Sequence, residues 1–79
     1  KSWLIPVYAD KSDYIWNQQF EQKIVLAESG NVKAQYDIGI MFLKGQGTNK
    51  SPAKAFKWLK KAAEQNYSRA EYKLGFLYH

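Results

Sequence analysis

A segment near the middle of this 79-residue chain returns almost unchanged at its C-terminal end. Residues 27–42 align with residues 63–78 at a constant offset of 36 positions, and the aligned pairs include two alanines, a tyrosine and a glycine. A period of roughly 20 to 50 residues is typical of stacked helical repeats, in which each unit buries its apolar face against the next unit. The recurrence predicts an all-α fold, a solenoid of antiparallel helix pairs.

The small residues that recur in both copies indicate how the helices meet. Gly39 and Gly75 occupy equivalent places inside predicted helices. Glycine in a helix costs about 1 kcal/mol relative to alanine, so we expect another helix to approach closely at both positions. Gly30 and Asn66 also correspond. These residue types readily take the left-handed conformation that ends a helix, so each repeat is predicted to be helix, tight corner, helix.

Apolar residues recur at helical spacing in four stretches, which predicts helices at about residues 12–29, 32–44, 52–65 and 67–78. Ser12 is placed to cap the first helix. Phe20 precedes Phe56 by the repeat offset, so we interpret the first helix as the second helix of a degenerate upstream repeat. Ahead of it, a short apolar stretch is interrupted by Pro6 and is predicted to be extended. We expect this stretch to pack across the first helices or into a groove of the solenoid.

The predicted domain organisation follows from these elements. An extended N-terminal segment is followed by one repeat domain, which contains the degenerate helix, one full repeat and the first helix of a truncated repeat. The corresponding ranges are 1–11 for the segment, 12–79 for the domain, and 12–30, 31–66 and 67–79 for its three parts.

Four short motifs carry a resemblance to a known family. Residues 44–47, 54–59, 62–66 and 74–78 resemble the Sel-like repeat family, a relative of the tetratricopeptide repeat. Two positions depart from the family pattern, because Thr48 stands where valine is usual and Ser51 where aspartate is usual. Ser51 followed by Pro52 is still a good start for a helix.

The resemblance implies a non-enzymatic scaffold that binds a partner protein or peptide through the helical-repeat groove. In the family such scaffolds serve in the assembly of envelope or signalling complexes and in host interaction in bacteria. An alternative within the same family is a dedicated inhibitor or immunity protein that covers one toxin or enzyme.

The resemblance also suggests which residues would line that groove, because the first helix of each repeat in this superfamily usually faces the concave surface. Aligned on the two recurring glycines, the inward-facing positions here would be Lys33, Tyr36, Ile40, Leu43, Lys44, Arg69, Tyr72 and Phe76. Large aromatic residues and arginine often dominate binding energy. The alternative is that these side chains pack on neighbouring helices or on the N-terminal segment.

A basic stripe follows the third helix. The formal net charge is +5, and Lys50, Lys54, Lys57 and Lys61 are spaced four, three and four residues apart, which predicts one shared face without interleaved aromatics. Such a face is expected to be solvated. The alternative is weak binding of nucleic acid or of another acidic partner, since clustered lysines attract phosphate.

Composition argues against several kinds of site. The chain has no cysteine and a single histidine, His79, and its carboxylates are scattered along the sequence. We therefore expect no metal cluster, no catalytic pair of nucleophile and base, and no cofactor. The loop of residues 45–51 has lysine before serine, but its glycines do not have the spacing of a phosphate-binding loop. No apolar run approaches 18 residues, so a soluble chain is predicted, in the bacterial cytoplasm, in the periplasm or secreted.

The ends of the chain add one expectation. Both Lys1 and His79 look cut, so we interpret the chain either as a piece of a longer repeat array or as a mature secreted form. The face around Leu74, Leu77 and Tyr78 is where a further repeat or a second copy would dock, because repeat units do not bury their faces alone.

Overall fold

A computed structural model describes residues 11–77 of the chain, with side chains from residue 14 onward. Four helices make up this part: α1 (Lys11–Glu28), α2 (Val32–Lys44), α3 (Pro52–Glu64) and α4 (Ser68–Leu77). The described residues contain no strand, so the all-α prediction is confirmed. The predicted extended segment before residue 11 lies outside the described residues.

The helix boundaries follow from local capping chemistry. Before α2, the side chain of Asn31 accepts a hydrogen bond from the backbone N–H of Ala34 at 2.9 Å. Before α3, Ser51 accepts one from Lys54 at 3.3 Å, and Pro52 follows as the first helical residue. Each bond satisfies a backbone donor that has no partner within its helix. The Ser51 cap is confirmed, whereas the Asn31 cap was not predicted.

The corners between the helices are formed by left-handed residues. Gly30 and Asn66 have φ values of 106° and 65°, as their correspondence in the repeat predicts. Gly47 in the α2–α3 loop has a φ of 74°, and an added Cβ there would collide with the backbone carbonyl of Trp16 on α1. Glycine at position 47 therefore lets the loop pack directly on α1.

The start of α1 differs from the prediction. The predicted cap at Ser12 is wrong, because α1 already begins at Lys11.

The helices pack in chain order, so that α2 lies between α1 and α3, and α3 lies between α2 and α4. Two clusters of buried residues form the core. The first joins α1, α2 and α3 through Ala27, Ala34, Ile38, Met41, Phe42 and Ala55. The second joins α3 and α4 through Leu59, Ala62, Ala70 and Leu74. Half of these ten residues are alanines, which allow the helix axes to approach closely.

A buried polar contact links three helices beside this core. The side-chain amide of Gln35 on α2 donates to the carbonyl of Ala27 on α1 at 3.1 Å. Its oxygen accepts from Nε2 of Gln65 at 2.8 Å, directly after α3. Gln35 is only 6% exposed, so these bonds offset the cost of burying its amide. The contact fixes the end of α3 against the α1–α2 corner.

The two recurring glycines have different surroundings. A Cβ added at Gly39 would lie 2.7 Å from Cγ of Leu59 and 3.3 Å from the carbonyl oxygen of Ala55, so the close approach predicted there is confirmed. A Cβ added at Gly75 would meet no described atom within 4 Å, so the same prediction is wrong for Gly75. Gly39 packs on α3, whereas no helix packs in the corresponding place on α4 among the described residues.

The open face of α4 also differs from the one expected. Leu74 is 8% exposed and packs in the seam between α3 and α4, so it does not contribute to an open face. Leu77 is 37% exposed, and Phe76, which was not assigned to this face, is 66% exposed. Tyr78 lies outside the described residues. Docking of a further repeat or of a second copy on α4 stays a prediction.

The glycine geometry makes a paired prediction about stability. Gly39→Leu should destabilise the domain by about 3 kcal/mol or more, because a side chain would be forced into the fully buried contact with Leu59. Gly75→Leu should not destabilise the domain and should stabilise it by up to about 1 kcal/mol, because the site is open and leucine favours a helix more than glycine does. Urea denaturation followed by circular dichroism measures both. Equal midpoints for the two variants would contradict this account of the α2–α3 contact.

Candidate functional site

Two depressions lie along the surface formed by α1, α2 and α4, and Tyr36 belongs to both. The first, of about 290 Å³, lies between α1 and α2 and is lined by Trp16, Gln19, Lys23, Tyr36, Asp37, Ile40, Met41, Lys44 and Gln46. The second is more open, has a volume of about 510 Å³ and lies between α2 and α4, where it is lined by Tyr36, Ser68, Arg69, Tyr72 and Lys73. Side chains from the first helices of both repeats therefore share one continuous surface.

Tyr36 is the fixed element of this surface. Its ring packs against the ring of Tyr67 with centroids 5.3 Å apart and planes tilted by 51°. It is half-buried and contacts the second core cluster. Tyr72 holds the equivalent place in the repeat but is 76% exposed. The difference arises because no described residue occupies, beside Tyr72, the place that Tyr67 fills beside Tyr36.

Charge is arranged differently in the two depressions. In the first, Oδ2 of Asp37 accepts hydrogen bonds from the ammonium groups of Lys23 at 2.7 Å and Lys33 at 3.4 Å. In the second, Arg69 and Lys73 lie one helical turn apart on α4, and neither has an ion-pair partner within residues 14–77. The first depression is therefore locally compensated, whereas the second presents uncompensated positive charge.

The predicted groove residues separate into two groups. Tyr36, Ile40, Lys44, Arg69 and Tyr72 line the depressions. The other three lie elsewhere. Leu43 packs against both core clusters, as the alternative interpretation expects. Lys33 is exposed and bonded to Asp37, and Phe76 is exposed outside both depressions, with Nζ of Lys73 6.0 Å from its ring centroid.

Several of the residues that line the depressions were not predicted from the sequence. Trp16, Gln19 and Lys23 come from α1, which lacks the clear repeat signature and was not considered as a wall of the groove. No local signal in the sequence identifies them. Lys73 could have been found, because it follows Arg69 by four residues and therefore lies on the same face of α4.

The basic residues around α3 are placed partly as predicted. Lys54, Lys57 and Lys61 are exposed on α3, whereas Lys50 is exposed but lies before the helix, so helical spacing does not position it. The expectation that no aromatic residue interleaves with this stripe is wrong. Nζ of Lys54 lies 5.7 Å from the ring centroid of Phe42 on α2, and Nζ of Lys61 lies 5.7 Å from that of Trp58.

The described part of the chain holds neither a candidate metal cluster nor a candidate membrane-spanning helix. Across residues 11–77, no three histidine, cysteine, aspartate or glutamate residues lie close enough to hold a metal ion together. Of the four described helices, none has both the length and the apolar character needed to cross a bilayer.

The different burial of the two tyrosines predicts different effects of truncation. Tyr36→Ala should destabilise the domain by about 1 to 3 kcal/mol, because it removes the packing on Tyr67 and the second core cluster. Tyr72→Ala should stay within about 0.5 kcal/mol of the wild type, because the side chain is mostly exposed. Thermal unfolding followed by circular dichroism distinguishes the two. A larger loss for Tyr72→Ala would contradict the assignment of Tyr36 as the packed tyrosine.

Comparison with known proteins identifies the repeat. The family profile described as Sel1 repeat matches residues 32–67 and 68–79. An F-box protein of Arabidopsis thaliana is 37% identical over 69 residues, which cover 81% of this chain and 19% of that protein. A Sel1-like repeat-containing protein of Acanthamoeba polyphaga mimivirus is 45% identical over 40 residues, which cover 51% of this chain and 7% of that protein. No solved structure matches the chain significantly.

The two relatives and the family profile test the predicted family and the predicted bacterial origin. The chain spans about a fifth of the length of the plant relative and less than a tenth of the viral one. Both relatives come from outside bacteria, so a bacterial origin stays a prediction. The resemblance to Sel-like repeats is confirmed, because the profile matches more than half of the chain. The chain belongs to the Sel1 repeat family.

Proposed function

We propose that this chain binds a peptide segment of a partner protein along the α2–α4 surface. Sel1 repeats are in general protein–protein interaction modules, and the proposal assigns this role to a particular surface. The observation that carries it is the convergence of Tyr36 from one repeat with Arg69 and Tyr72 from the next on a single open depression. Catalysis plays no part in this role.

The two tyrosines give the surface its expected binding energy. Tyr72 is 76% exposed, so most of its ring is available for burial against a ligand. Burial of apolar surface contributes about 25 cal/mol per Å². Tyr36 is already held against Tyr67, so little of its conformational freedom would be lost on binding. One fixed ring and one accessible ring together form a platform for an apolar side chain.

The charges beside this platform indicate the chemistry of the ligand. Arg69 and Lys73 lie next to the tyrosines and have no ion-pair partner within residues 14–77. An arginine guanidinium binds a carboxylate through two parallel hydrogen bonds. The fitting ligand is therefore an extended segment with an aromatic or aliphatic side chain next to an acidic residue. The open shape of the depression suits such a segment better than an enclosed small molecule.

Selection of displayed peptides against the folded 79-residue chain tests the proposal. Fluorescence anisotropy would then give the affinity of the selected peptides for the wild type, for Tyr72→Ala and for Arg69→Ala. We expect each variant to bind about tenfold more weakly or worse, which corresponds to about 1.4 kcal/mol or more. Tyr14→Ala is the matched control, because Tyr14 is 56% exposed on α1 and lines neither depression.

The location of binding can be checked independently of affinity. Amide chemical shifts recorded with the selected peptides should change mainly around Tyr36 and Tyr72. Two results would overturn the proposal. In one, the peptides bind Tyr72→Ala as tightly as the wild type; in the other, they change the chemical shifts only of amides in α1 that lie away from both depressions.

A further inference from the structure

We propose that the outward face of α3 is a second binding surface, and that its ligand is an acidic helical segment of a partner protein. This surface is formed by Lys54, Lys57 and Lys61, and we refer to it as the α3 lysine face. It shares no residue with the two depressions. The inference therefore goes beyond the peptide-binding role proposed above.

The geometry of α3 aligns these three lysines. At 3.6 residues per turn, spacings of three and four residues place them on one side of the helix. The opposite side carries Ala55, Leu59 and Ala62, which are fully buried. The lysines are exposed, and they extend over about 10 Å at 1.5 Å of rise per residue. A helix with glutamates at the same spacing would present its carboxylates at matching intervals.

This arrangement is electrostatically unfavourable in the isolated chain. The pairs Lys54–Lys57 and Lys57–Lys61 place like charges one turn apart, which weakens a helix. The first turn of α3 has no acidic residue, and Lys54 places a positive charge near the positive end of the helix dipole, whereas Lys61 in the last turn is favourably placed. Across residues 14–77, ion pairs form at Lys23 and Lys33 but at none of the three lysines. Carboxylates from a partner would relieve all of these repulsions together.

The aromatic contacts favour a protein ligand over nucleic acid. Lys54 and Lys61 lie over the rings of Phe42 and Trp58, which restricts both ammonium groups before any ligand binds. Phe42 is 6% exposed and Trp58 is half-buried, and a lysine lies over each ring. Binding of single strands usually relies on open aromatic faces on which bases stack. The α3 lysine face offers positive charges without a fully open aromatic ring, which suits carboxylates.

A designed probe tests this inference on the full chain. The probe is a labelled alanine-based helical peptide with three glutamates on one face, spaced like the lysines, and without large apolar side chains that the tyrosine platform could bind. Its isomer carries the same glutamates distributed around the helix. By fluorescence anisotropy at low salt, we expect the one-face peptide to bind about tenfold more tightly than its isomer.

Two variants of equal net charge locate the binding. Lys54→Gln/Lys57→Gln/Lys61→Gln should weaken binding of the one-face peptide about tenfold or more. Lys33→Gln/Arg69→Gln/Lys73→Gln removes the same number of positive charges away from α3 and should weaken binding about twofold at most, through the lower net charge. Tyr72→Ala should leave binding unchanged, which separates this inference from the peptide-binding proposal. Circular dichroism first confirms that each variant folds.

Several results would overturn the inference. If both triple variants lost the same affinity for the one-face peptide, general charge attraction would explain the binding. If only the second variant lost affinity, the acidic ligand would bind at Arg69 and Lys73. If the one-face peptide and its isomer bound with equal affinity, the spacing of the glutamates would not matter, and the proposed match between glutamate and lysine spacing would be wrong. Tighter binding of a thymidine oligonucleotide than of the peptide, dependent on the same three lysines, would make nucleic acid the ligand.

Discussion

The direct contact between α2 and α3 at Gly39 determines the rest of the arrangement. Because residue 39 has no side chain, Leu59 occupies the space where a Cβ would stand, and it is fully buried there. Leu59 also belongs to the cluster that holds α4 through Ala70 and Leu74. The position of α4 relative to α2, and with it the depression between them, therefore depends on how closely α3 approaches Gly39. A side chain at that position would move one wall of the candidate site away from the other.

The two copies of the repeat show how neighbours decide the role of identical residues. Tyr36 and Tyr72 are the same residue at the same place in the repeat, but only Tyr36 has an aromatic ring packed on it among the described residues. Gly39 and Gly75 differ in the same way, because α3 covers only the first. Periodicity could predict the four helices and their order of packing, since both depend on features inside each repeat. It could not predict which copy of a residue is open, because exposure depends on the next element in space.

The candidate site was predictable to the extent that its residues share a helix face. Arg69 and Tyr72 lie on one face of α4, and the repeat relates Tyr72 to Tyr36 on α2, so their convergence followed from spacing and from the resemblance. Contacts between residues distant in sequence left no such signal. Gln35 and Gln65 are 30 residues apart and meet at 2.8 Å, and Phe42 reaches Lys54 from a different helix. Such pairs depend on the angle between helices, which a single sequence does not specify.

The positive charges of the chain have different surroundings on its two surfaces. Beside the first depression, Lys23 of α1 and Lys33 of α2 both bind Asp37 of α2, and the Lys23 contact contributes to holding α1 on α2. On α3, the lysines have no ion-pair partner within residues 14–77, and Lys54 and Lys61 lie over aromatic rings. The spacing of the lysines one turn apart weakens the helix, and the helix dipole disfavours Lys54 while it favours Lys61. A local arrangement that opposes the stability of its own helix is expected where function requires it.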